Sequence, residues 1–106
     1  MRELAVDLQY VERGLGNPII LIHGFPFDHS LWDRVTASLE PHARLVLPDL
    51  RGFGASPAPD GVYTMRIMAE DIAALMDRLE INKAIMVGHS MGGYISLAFA
   101  QAYPDR

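Results

Sequence analysis

One serine, Ser90, stands in the octapeptide VGHSMGGY (87–94) at a G-x-S-x-G spacing, with Gly93 directly behind the second glycine. Glycine loses more backbone entropy on folding than any other residue, so three glycines so close together need a geometric reason. A sharp turn from strand to helix supplies one. Such a turn strains the backbone of the serine, and side chains two positions to either side would collide with it. Gly88 and Gly92 remove those collisions, and Gly93 is expected to let the following helix lie close to the sheet. The serine is thereby lifted to a helix N-terminus, where free N–H groups and the positive end of the helix dipole favour an anion. The N–H of Met91 is placed to donate to a developing oxyanion. This is the chemistry of a nucleophile elbow, with Ser90 as the catalytic group.

The tetrapeptide HGFP (23–26) offers a second donor, the N–H of Phe25. Each such donor is typically worth about 2.7–4 kcal/mol of transition-state stabilisation. His23 has no second histidine or carboxylate at ligand spacing, so no metal is expected. It is expected, with Gly24, to hold the loop. His29, His42 and His89 read as loop or surface residues. His89 lies beside the serine but on the wrong side of a sharp turn to act as its base, and is expected to shape the site. A phosphate cradle is disfavoured: no lysine follows the glycines of VGHSMGGY, and RGFGAS (51–56) lacks a third glycine. No cofactor is expected.

The elements that must carry these loops follow from periodicity. Leu4, Val6, Leu8 and Tyr10 alternate with polar or small residues as in a half-buried strand, and ERGLGNP (12–18) reads as a turn. IILI (19–22), ARLVLPDL (43–50) and KAIMV (83–87) are apolar runs of the kind found in buried parallel strands. Leu31, Trp32, Val35 and Leu39 recur at helical spacing, with Ser30 and Asp33 as a capping pair and Pro41 as the stop. Thr64 caps a second helix with an apolar stripe from Met65 to Leu79, its methionines serving as core, and with Glu70 and Asp71 off that stripe. GGYISLAFAQAY (92–103) is apolar almost all round, which predicts a helix packed on several sides. Strands alternating with helices predict an α/β fold: a mainly parallel sheet, helices on both faces and an N-terminal antiparallel strand pair. The three Gly- and Pro-rich loops then leave the carboxyl ends of strands, where sites of such sheets collect.

The totals allow one domain of 106 residues, half of them hydrophobic, with a net charge of −4. No basic block points to nucleic acid or an anionic membrane. The absence of cysteine excludes disulfides and thiol chemistry. No run approaches the length of a membrane span, and the N-terminus has no signal-type segment, so a cytoplasmic location is expected.

LIHGFPFDHSLW, PDLRGFGAS and VGHSMGGY, in this order, resemble the N-terminal half of an α/β-hydrolase, and within that superfamily the small serine esterases and lactonases. The enol-lactonase-like and carrier-protein methyl-ester esterase-like members are among those it resembles. The resemblance implies Ser90 as nucleophile, the N–H groups of Phe25 and Met91 as oxyanion hole, and His89 and Met91 lining the acyl site. It implies a bracing role for Asp49, Arg51 and Gly52, with Asp49 structural. A serine at position 90 argues against dehalogenase and epoxide hydrolase chemistry, which uses an aspartate there.

The family places its triad acid and triad histidine after the nucleophile helix, and residues 1–106 hold neither. The chain therefore reads as the N-terminal portion of a single domain, expected to be inactive or very weak alone. The substrate implied is a small ester or lactone, and no nucleic acid or membrane partner is expected. With its later neighbours missing, the strand at 83–87 becomes an exposed apolar edge. A complementing chain, or a second copy, could cover it. A non-catalytic module that pairs through that edge stays open as an alternative, as does peroxidase-like or C–C hydrolase chemistry on the same serine.

Overall fold

The computed structural model describes residues 4–106. Four strands form one sheet: β1 (Tyr10–Arg13), β2 (Pro18–Ile22), β3 (Arg44–Pro48) and β4 (Ile85–Gly88). Three helices cover it: α1 (Asp33–Leu39), α2 (Met65–Arg78) and α3 (Met91–Ala102). The spatial order is β1-β3-β2-β4. β2 runs parallel to both neighbours, pairing Ile19 with Leu45 and with Ile85. The antiparallel pair joins β1 to β3, with Val11 opposite Leu47.

Side chains alternate across the pleat, so each strand feeds two cores. Ile20, Ile22 and Val46 point to the face covered by α2 and α3, where they meet Ile72, Met76, Ile95 and Phe99. Leu21, Leu45 and Leu47 point to the other face, against Trp32 and Leu39. Each fully buried aliphatic or Phe side chain among these contributes on the order of 1.5–3 kcal/mol. Met68 and Met76 are buried and Met65 packs on them, as core residues. No helix is long and apolar enough to cross a membrane among the described residues.

Several sequence expectations shift. The ladder of β1 begins at Tyr10, at the end of the alternating stretch. Residues 5–9 before it belong to no strand, and their backbone groups bond mostly to side chains: Val6 N–H to Asp71, Gln9 N–H to Ser56 Oγ, and Leu8 C=O from Arg78. Ser30 does not cap α1. A single 3₁₀ turn (His29–Trp32) comes first, capped by Asp28, which accepts from both the N–H and the Oγ of Ser30. Thr64 does cap α2, accepting the N–H of Ile67 at 3.0 Å. α3 is not packed on several sides: Ile95 and Phe99 are buried, while Tyr94 and Leu97 stand 67% and 69% exposed. β4 is an edge strand, with Ile85 58% exposed.

Two acidic residues of α2 are buried against expectation. Asp71 receives Arg51 Nε at 2.6 Å and Nη2 at 2.8 Å, a bidentate pair shut off from solvent. Asp71 raises the pKa of Arg51 above its ordinary value, against the pull of burial. Glu70 accepts the hydroxyl of Tyr103 and an i,i+4 contact from Arg66.

Candidate active site

Ser90 sits between β4 and α3 as the N-terminal flanking residue of the helix, with φ 55° and ψ −114°. A non-glycine residue there carries strain of about 1–3 kcal/mol, sustained only where surrounding structure dictates it. The surroundings do so through glycine. A Cβ on Gly88 would overlap the carbonyl group of Gly92 and the nitrogen of Gly93. A Cβ on Gly92 would overlap Ile22 O and lie 2.7 Å from His23 O, both on the backbone at the end of β2. The close approach of helix to sheet therefore belongs to Gly92. Gly93, expected to provide it, has only Gly88 O nearby, at 3.8 Å.

The loop after β2 closes on the elbow from the other side. A Cβ on Gly24 would lie 2.7 Å from His89 O and 3.1 Å from Ser90 Cβ, so HGFP and VGHSMGG touch at these glycines. Among the described residues no loop or cap hydrogen bond uses the N–H of Phe25 or Met91. Phe27 packs edge-on against His89, and Phe25 against Phe53. Ser90 itself is exposed, and Phe25 and Phe27 of the adjoining loop are exposed as well.

His23 is fully buried and works as a strut. Its Nε2 accepts the N–H of Leu50 at 3.0 Å, so Nδ1 carries the proton and donates to Gly24 O at 2.9 Å. That bond fixes the glycine that contacts the elbow. Burial lowers the pKa of His23 below its ordinary value and keeps the ring neutral, although the Gly24 bond and the charge of Asp49 oppose this.

Asp49 joins the remaining loops. Its carboxylate accepts the N–H of His29 at 2.8 Å, His29 Nδ1–H at 2.7 Å and the N–H of Ala55 at 3.0 Å. Burial alone would push this carboxyl up. The donors from Ala55 and His29 together outweigh it and hold the pKa below its ordinary value. His29, read from sequence as a loop or surface residue, is therefore a clasp between the β2–α1 and β3–α2 loops. Asp28, His29 and Asp49 lie close enough together to hold an ion, but their donors and acceptors are already matched to one another and to Ser30.

The four-stranded sheet with a strained serine just past its edge strand has a counterpart in sequence. Residues 17–106 match the sequence model of the alpha/beta hydrolase fold. The chain belongs to that family. A thermophilic esterase from Thermogutta terrifontis superposes on this alpha/beta hydrolase with a TM-score of 0.90 at 44% identity, covering 93% of this chain and 37% of its own. An N-acyl homoserine lactone degrading enzyme superposes with a TM-score of 0.91 at 31% identity, over 95% of this chain and 39% of its own. A soluble epoxide hydrolase from Corynebacterium sp. is 37% identical over 99 residues, which are 93% of this chain and 34% of that protein. This alpha/beta hydrolase chain thus spans about a third of the length of the curated relatives it matches.

The structure gathers Ser90, Met91, His89, Gly88, Gly92, Gly93, His23, Gly24 and Phe25 at one end of the sheet. What sequence reasoning missed is the His29–Asp49 clasp. Its partners lie twenty positions apart, and no local spacing signals the pair.

Proposed function

We propose that this chain carries the nucleophile and oxyanion hole of a serine hydrolase acting on carboxylic esters or lactones. The strained backbone of Ser90 supports this reading best. Nothing in strand-to-helix packing requires a serine at φ 55°, whereas an exposed nucleophile at a helix N-terminus does. Ser90 Oγ attacks the carbonyl carbon, and the Phe25 and Met91 N–H groups receive the oxygen as it becomes an anion. A histidine takes the Ser90 proton and returns it to the leaving alcohol. Water then hydrolyses the acyl-enzyme.

The chemistry of the nucleophile favours esters over epoxides. A carboxylate that opens an epoxide leaves an ester, which water can cleave. A serine that did so would leave an ether, a dead end. The exposed rings of Phe25 and Phe27 on the adjoining loop favour an apolar acyl group.

None of the four histidines suits the role of base. Both nitrogens of His23 are engaged, His29 is held by Asp49, His42 lies in the turn between α1 and β3, and His89 packs on Phe27. The base and its acid would come from polypeptide outside these 106 residues, so the chain alone is expected to turn over substrate very weakly or not at all. A second reading, a non-catalytic module that pairs through its edge, draws on the exposed β4.

Labelling with a fluorophosphonate probe separates them. A chimaera of residues 1–106 with the remainder of the Thermogutta terrifontis esterase should label at Ser90 and hydrolyse p-nitrophenyl acetate. Ser90→Ala should abolish labelling and lower turnover at least about 10⁴-fold. Equal labelling after Ser90→Ala would overturn the assignment. Rapid hydrolysis by the isolated chain, lost in Ser90→Ala, would refute the need for an outside base.

A further inference from the structure

Phe53 lies on the loop after β3, half-buried, and its ring meets two rings of the loop after β2. The His23 imidazole crosses it at 77° with centroids 5.5 Å apart, and the Phe25 ring at 85° and 5.8 Å. Both are edge-to-face contacts, an arrangement that aromatic rings favour. His23 is fully buried and Phe25 is 69% exposed, so the ring of Phe53 links the base of that loop to its surface.

One turn holds His23 at two points. The N–H of Leu50 donates to His23 Nε2 at 3.0 Å, and Leu50 O in turn accepts the N–H of Phe53 at 2.9 Å. The first residue of the turn therefore grips the imidazole by a hydrogen bond, and the last grips it by ring contact. What the grip controls is a single peptide plane. Gly24 O accepts His23 Nδ1–H at 2.9 Å and the N–H of Phe27 at 2.9 Å. The N–H of Phe25 belongs to the same rigid peptide unit and points the opposite way from that oxygen. Fixing the oxygen with two donors thus fixes the aim of the N–H, and the Phe25 ring on Phe53 anchors the residue that carries it.

We infer that Phe53 is a positioning residue for acyl transfer. Its ring holds His23 and Phe25 together, so the Phe25 N–H is aimed before substrate arrives. A donor aimed in advance needs no reorganisation when charge develops on the carbonyl oxygen. The role rests on the reading of that N–H as an oxyanion donor, and Phe53 acts through the Gly24–Phe25 peptide rather than on the substrate.

The test uses the chimaera with the Thermogutta terrifontis esterase, its turnover counted per site titrated by the fluorophosphonate probe. That count removes any loss due to poorer folding. Phe53→Leu keeps apolar bulk and deletes the flat ring. An oxyanion donor serves both acylation and deacylation, so kcat for p-nitrophenyl acetate should fall about 3- to 10-fold with KM held within about twofold. Phe53→Tyr keeps the ring and should hold kcat within about twofold of the parent. Phe25→Ala cuts the same contact from an exposed position, leaves the N–H in place and should lower kcat in the same way. If Phe53→Leu does not fold, Phe25→Ala decides alone. An unchanged kcat per titrated site in either variant overturns the proposal. So does Phe53→Leu raising KM with kcat intact, or Phe53→Tyr as impaired as Phe53→Leu. Failure of the serine reading looks different, because Ser90→Ala would then still label whatever stands at position 53.

Discussion

Adjacent glycines in α3 should respond to alanine with opposite signs. At Gly92 the new methyl group overlaps Ile22 O and lies 2.7 Å from His23 O. Both obstacles are backbone of the central strand, so neither can swing aside. The helix must back away by about an ångström, and Ile95 and Phe99, its buried anchors, move with it. Overpacking of this kind costs about 3 kcal/mol, at the upper end of the usual range. For a domain of this size each kcal/mol moves the thermal midpoint by about 4–8 °C, so Gly92→Ala should lower it by roughly 12–24 °C. At Gly93 the methyl meets only Gly88 O, at 3.8 Å. There alanine removes the entropic cost of glycine in a helix and should stabilise by about 0.5–1 kcal/mol. Thermal unfolding followed by far-UV circular dichroism measures both. Equal shifts for the two variants, or a stabilised Gly92→Ala, would show that the helix is not held against β2 as described.

Three further outcomes follow from the same contacts. Ser90→Gly should raise stability by about 1 kcal/mol, because glycine accepts φ 55° without strain, while removing all fluorophosphonate labelling in the chimaera. Arg51→Met leaves the carboxylate of Asp71 buried without its cation and should cost about 3–5 kcal/mol in urea unfolding; adding Asp71→Leu should recover much of that. Unfolded His23 takes up a proton near pH 6.5, whereas the folded ring does so only at lower pH. The unfolded state then binds more protons in that window, so stability falls as pH drops below about 6.5, and His23→Gln should flatten that slope in urea midpoints measured across it.

The chemistry-bearing loops were legible because their reasons are local. A turn that strains Ser90 needs glycine two positions away on each side, and the apolar runs at 19–22 and 83–87 can only be strands beneath it. Contacts between distant segments left no such trace. Of the alternating residues from Leu4 to Tyr10, Leu8 is buried and Val6 half-buried while Leu4 and Tyr10 are exposed, and the backbone there bonds to Asp71, Ser56 and Arg78. Periodicity reports which face a side chain takes, not which group satisfies its backbone. Glu70 and Asp71 lie off the apolar stripe of α2, and only the tertiary fold brings Tyr103 and Arg51 over them. Ser30 and Asp33 have the spacing of a cap, but Asp28 precedes them and captures Ser30 first. The open flank of α3 has another origin. An apolar sequence states a demand for burial, and these 106 residues meet only part of it.

The strand order also dictates when the elbow can form. β4 is last in sequence but docks directly on β2, pairing Ile19 with Ile85 across most of the chain. Closing so long a loop carries an entropic penalty that nearer pairings, such as β2 with β3, avoid. The turn at Ser90 is imposed only after that closure, because the atoms crowding Gly92 belong to the end of β2. Substitutions at the elbow should therefore act mainly on the rate of unfolding and leave the rate of folding little changed. On that order the turn that exposes the nucleophile is set after the sheet beneath it has paired.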